Sequence, residues 1–160
     1  MTAKRGLLAV LNAALSVGGC TTAAVPAVSY ASAPTASLPS PAQYLVIEPP
    51  SYVRSPSRRY PVLVFLHDGY GNVHTLDRRG VAAELLARMA DGRLPEFLVV
   101  APGGPGSWFS DSFDGRRRWE EFLTRDFLRE IQTRYRVLAG PAARGITASR
   151  WAATGRSRSR

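Results

Sequence analysis

Residues 59–71 read Arg59-Tyr60-Pro61-Val62-Leu63-Val64-Phe65-Leu66-His67-Asp68-Gly69-Tyr70-Gly71. The run 60–66 is continuously apolar, as expected of a strand buried on both faces of a parallel sheet, and it leads into a glycine-rich turn. A second run of this kind, Phe97-Leu98-Val99-Val100-Ala101, ends in Pro102-Gly103-Gly104-Pro105-Gly106. Between the two, residues 78–91 place Val81, Leu85, Leu86 and Met89 on one helical face, and Gly92 closes the helix. Buried strands joined through a helix form a right-handed βαβ unit, so 60–66 and 97–101 are predicted to be neighbouring central strands. The fold class is α/β.

The rest of the folded region follows outward from this unit. Residues 43–48 (QYLVIE) are β-branched and aromatic, and Pro49-Pro50 stops them. Residues 119–135 predict an amphipathic helix with Phe122, Leu123, Phe127, Leu128 and Ile131 at helical spacing. Residues 144–147 begin another strand. The domain expected from these elements covers 42–147, with a mostly parallel sheet, flanking helices and no internal repeat.

The 160 residues include 21 Lys+Arg against 12 Asp+Glu, a formal net charge of +9 at pH 7. Five of those arginines (144, 150, 156, 158 and 160) fall in 144–160, whereas 21–143 holds 14 basic and 12 acidic groups. The body is therefore nearly neutral and has no basic stripe to follow phosphates, which argues against a nucleic-acid partner. One cysteine rules out an internal disulfide framework and a cysteine zinc site. Two histidines make a His-rich metal site equally implausible, and no metal or cofactor is expected.

Residues 1–20 look like an export signal: Lys4 and Arg5 precede an apolar run too short to span a bilayer. Leu15-Ser16-Val17-Gly18-Gly19-Cys20 resembles the lipobox of bacterial lipoproteins, which would make Cys20 a lipidation site and a membrane anchor. An ordinary cleaved signal is the alternative. Residues 21–41, rich in Ala, Ser, Thr and Pro and free of charge, predict a flexible tether. The expected location is periplasmic or extracellular.

Several stretches occur in a telling order: 48–52 (EPPSY), 59–67 (RYPVLVFLH), 99–104 (VVAPGG), 107–112 (SWFSDS) and 119–123 (WEEFL). Together they resemble the esterase family that includes S-formylglutathione hydrolase, feruloyl and acetylxylan esterases and the mycolyltransferases, over about residues 44–147. The resemblance implies the N-terminal half of an α/β-hydrolase fold acting on a small ester or an esterified carbohydrate. It also implies that His67, Asp68, Gly69, Tyr70 and Gly71 form the oxyanion loop, in which a backbone N–H after the strand steadies the tetrahedral oxyanion. Trp108, Asp111, Trp119 and Glu120 would line or support the same crevice.

The family nucleophile is a serine in G-x-S-x-G on a strand-to-helix elbow, followed by an acid and a histidine. No G-x-S-x-G occurs here, and no Asp, Glu or His follows Glu130. His67 and His74 precede the elbow and do not fit the base. After 144–147 the chain reads Ala148-Ser149-Arg150-Trp151-Ala152-Ala153-Thr154-Gly155-Arg156-Ser157. An elbow reading Ile-Thr-Gly-Ile-Ser-Met-Gly-Gly-Tyr-Gly-Ala-Leu, coded with GC-rich codons and losing one G from its third codon, translates as residues 146–157 of this chain. That 20 of the 21 basic residues are arginine agrees with GC-rich coding. Residues 148–160 are accordingly expected to be an out-of-frame basic tail, with nucleophile, acid and base all absent. Two readings of function result: an exported serine esterase by descent, inactive as this chain, or a non-catalytic exported lipoprotein that binds carbohydrate or esters.

Overall fold

A computed structural model of the chain describes residues 28–104 and 106–149. The export signal, Cys20 and the tail from Arg150 onward lie outside these residues. Five strands, β1 (Val28–Ala33), β2 (Ala42–Ile47), β3 (Val62–Leu66), β4 (Leu98–Pro102) and β5 (Arg144–Ala148), form one sheet in the order β1-β2-β4-β3-β5. β3 pairs in parallel with both β4 and β5, while β2 pairs antiparallel with β1 and β4. The sheet is thus mixed rather than mostly parallel. Its parallel part is the predicted unit, with β3 and β4 as interior neighbours.

Helices cover both faces. On one side α1 (Thr75–Arg78) and α2 (Val81–Ala90) bring Leu76 and Ala82 against Leu45, Ile47, Val99 and Ala101. On the other, a helical run from Trp119 to Arg134 brings Trp119, Phe122, Phe127 and Ile131 against Tyr44, Val46, Val64 and Val100. Alternate residues of β2 and β4 therefore feed opposite cores, which is why 44–47 and 98–101 read as continuous apolar runs. β4 is buried at every position.

Three expectations need correction. The helix predicted over 78–91 is two helices, parted where Gly80 takes a left-handed φ of 70° that interrupts the helical path. The helix over 119–135 is α3 (Trp119–Glu121), a π-helical stretch (Phe122–Phe127) and α4 (Leu128–Arg134). Its i→i+5 winding lets Phe122 and Phe127, five positions apart, both reach the same core. The predicted tether is the largest departure: Val28–Ala33 is a sheet strand in register with β2 from Val28↔Ile47 to Ala33↔Ala42.

The segment after β1 is also fastened. Asp126 Oδ2 accepts hydrogen bonds from Thr35 Oγ1 at 2.5 Å and Ser37 Oγ at 2.9 Å. The Arg118 N–H donates to Ser37 O at 2.9 Å. A low-complexity composition hid this because an edge strand needs backbone pairing more than side-chain bulk. The tail boundary shifts as well. Ala148 belongs to β5, and the Ser149 N–H donates to Leu66 O at 3.0 Å, continuing the parallel ladder.

Candidate active site

The C-terminal ends of β3, β4 and β5 lie side by side, where a parallel sheet opens its ligand crevice. β3 delivers His67 into this end with its ring buried. The His67 Nε2 accepts a hydrogen bond from the Gly104 N–H at 3.1 Å, and Nδ1 lies 2.7 Å from Asp68 O. An acceptor at Nε2 leaves the proton on Nδ1, so the imidazole is neutral and donates to Asp68 O. Burial lowers the His67 pKa from its ordinary value, in keeping with that tautomer; the contact with Asp68 opposes the shift. Asp68 O also accepts from the Gly71 N–H at 2.9 Å. His67 therefore ties the turn after β3 to the turn after β4.

The glycines of this turn serve close approach rather than a left-handed backbone, since neither Gly69 nor Gly71 has a positive φ. A Cβ on Gly71 would stand 2.6 Å from His67 Cβ, and one on Gly69 would stand 3.1 Å from the Trp108 ring. Tyr70, at the tip, is exposed and its N–H donates to Asp68 Oδ1 at 3.2 Å. The Asp68 carboxylate also faces Arg79 at 3.7 Å.

The loop between β4 and α3 folds over the same end of the sheet. Phe109 takes a φ of 53°, a left-handed conformation that costs a non-glycine residue about 1–2 kcal/mol. Its ring packs 4.8 Å from His67 and edge-on to Trp119 at 5.4 Å. Asp111 Oδ1 accepts from the Glu120 N–H at 2.9 Å, satisfying a donor in the first turn of α3.

Trp108, Asp111 and Trp119 share one cavity of about 240 Å³. Glu120 lines neither that cavity nor the larger one beside it, so its part here is the backbone donor that Asp111 holds. Asp111 forms no ion pair with Arg116, Arg117 or Arg118 among the described residues.

In the sequence Gly104 marks only the end of a strand, yet it supplies the N–H that His67 accepts. A Cβ there would meet Ser107 Oγ at 2.4 Å and the Trp119 ring at 2.7 Å. The paired glycines after 97–101 were the available signal for that close packing. Ser149, one residue past β5, has a buried hydroxyl with no partner among the described residues. Among the described residues no group of three His, Cys, Asp or Glu side chains is placed to hold a metal ion.

No curated protein matches the chain. Among solved structures it is similar to a ferulic acid esterase, at 27% identity and a TM-score of 0.67, covering 76% of this chain and 47% of that one. It is similar to a ferulic acid esterase from the anaerobic fungus Anaeromyces mucronatus at 18% identity and a TM-score of 0.64, covering 80% and 51%. An S-formylglutathione hydrolase from Agrobacterium tumefaciens follows at 16% identity and a TM-score of 0.60, covering 79% and 50%. The chain thus spans about half the length of the solved structures it matches. The model of the family described as "Putative esterase" matches residues 35–159. The chain belongs to that esterase family and carries part of its α/β-hydrolase fold.

Proposed function

We propose that this chain is the oxyanion-loop half of an exported serine carboxylic-ester hydrolase, inactive as it stands because residues 146–157, although inside the stretch the family model matches, read as the nucleophile elbow shifted by one base. One observation carries the reading. The Ser149 N–H is bonded to Leu66 O, so the start of the elbow segment and the start of the His67–Gly71 turn sit together on neighbouring parallel strands.

A serine displayed just beyond β5 would face the turn across a single strand spacing. In the active protein its Oγ, relieved of a proton by a histidine, would attack the ester carbonyl and form a tetrahedral oxyanion. The Gly69 N–H would stabilise that charge, since those of Tyr70 and Gly71 are given to Asp68, and His67 would hold the turn in place through Gly104. Collapse of the intermediate expels the alcohol, and water then releases the acid.

The substrate class is a small ester or an esterified carbohydrate. The ferulic acid esterases among the similar structures support it, as do the exposed faces of Tyr70 and Trp108 beside the turn. Export follows from the charged and apolar pattern of residues 1–20, with Cys20 as the lipidation site. The test is to insert the missing base, express the continued frame and assay p-nitrophenyl acetate. Turnover that disappears when the restored elbow serine is changed to alanine is expected. Absence of turnover in a folded, restored protein would overturn the reading.

A further inference from the structure

The sheet ends on β5, and among the described residues no strand pairs with its outer edge. The Ser149 N–H points inward to Leu66 O, and bonding to β3 alternates along the parallel ladder. Gly145 and Thr147 therefore belong to the inward set. Arg144, Ile146 and Ala148 turn their backbone N–H and C=O groups to the open edge.

Edge strands are commonly guarded by a charge within the strand, a proline or a bulge. β5 has none of these. It matches β3 residue for residue from Arg144 to Ala148, contains no proline, and carries its one charge at its first position. Ile146, at the centre, is 63% exposed. The opposite edge differs: β1 is followed at once by Pro34, and its Tyr30 hydroxyl donates to Asp77 Oδ2 at 3.1 Å.

We propose that β5 is a self-pairing edge, through which two copies of this chain join antiparallel about a two-fold axis at Ile146. The outward groups fix that position. Ile146 meets the second copy's Ile146, and Arg144 meets its Ala148, so every outward N–H and C=O of the strand is paired. An axis at Gly145 or Thr147 leaves one outward residue of each β5 without a partner in the other. An axis at Arg144 sets two arginines face to face. At Ile146 each arginine lies across from an alanine, and the two isoleucines cover one another on the same face of the sheet. Such a contact is isologous and closes at two chains. The surface belongs to the chain in its present frame and does not rest on esterase activity.

The test is sedimentation velocity of the full 160-residue chain across a range of micromolar concentrations. A monomer–dimer equilibrium is expected, with nothing larger. Ile146→Lys sets two like charges across the axis and should weaken the dimer at least ten-fold. Val53→Lys, at a position of similar exposure outside the sheet, should leave it unchanged. A second measurement does not depend on how the lysine variant folds. Opposed residues of a hydrogen-bonded antiparallel pair have Cα atoms about 5.5 Å apart, within reach of a disulfide. A chain carrying Cys20→Ser and Ile146→Cys should therefore form a covalent dimer on mild oxidation, and its absence would overturn the proposal. A native chain that stays monomeric, or that grows beyond the dimer as head-to-tail pairing of β5 with β1 would require, overturns it too. So does an unchanged dimer in folded Ile146→Lys.

Discussion

His67 Nε2 and the Gly104 N–H lie 3.1 Å apart, and this one hydrogen bond joins the turn after β3 to the turn after β4. It forms only while the imidazole is neutral, because a protonated Nε2 has no lone pair to offer. Replacing His67 with alanine leaves a buried N–H without its partner and opens a void beside Phe109. We expect a loss of about 1–3 kcal/mol in unfolding free energy, read by urea denaturation at pH 7.

The same bond sets an acid limit. Burial lowers the His67 pKa in the folded chain from its ordinary 6.5, so the unfolded chain takes up this proton first. Stability contributed by neutral His67 is complete above about pH 6.5 and falls as the pH drops toward the folded-state pKa. Urea midpoints should therefore decrease from pH 7 to pH 5, with a shallower decrease in His67→Gln. Equal slopes in the two proteins would remove His67 from this role.

Gly71 and Gly80 separate crowding from backbone strain. At Gly71 a Cβ would collide with the His67 Cβ position 2.6 Å away, whereas Gly80 has a φ of 70° and open space around it. Gly71→Ala should cost several kcal/mol through backbone displacement in a packed region, and Gly80→Ala about 1 kcal/mol from the left-handed conformation alone. Thermal unfolding of the two variants should show the larger fall in Tm for Gly71→Ala.

Asp126 holds the strap that follows β1 through Thr35 and Ser37. Its carboxyl is held below the usual range, chiefly by the Thr35 hydroxyl; burial opposes this, and Ser37 and Arg125 add smaller lowering effects. Asp126→Ala should speed proteolytic cleavage within 34–41 while leaving the interior strand β4 protected from hydrogen exchange. Cleavage at the native rate would show that β1 pairing alone fastens the segment.

The sequence made the parallel unit legible because β3 and β4 are apolar on both faces, a pattern that propensity and burial favour together. Gly69 and Gly71 were legible as a glycine-rich turn after β3, but the crowding by His67 Cβ and the Trp108 ring that they answer was not. Val28–Ala33 was not legible, since Ser29, Ser32 and two alanines carry no period that distinguishes an edge strand from a tether. Nor was the π-helical turn: Phe122 and Phe127 look like ordinary helical neighbours until the core requires both on one side. Gly104 escaped notice for a different reason. Its importance comes from a contact across 37 residues of chain, to His67 itself.

Initial-rate hydrolysis of p-nitrophenyl acetate tests most directly the proposal that this chain has the oxyanion turn without a working nucleophile. The 160-residue chain and its Ser149→Ala variant should hydrolyse the ester at the same rate, indistinguishable from buffer. Oxyanion donors without the triad retain only a small fraction of the acceleration. Turnover above background by the native chain that falls when Ser149 becomes alanine would contradict the account, because it would make Ser149 the nucleophile in the frame as written.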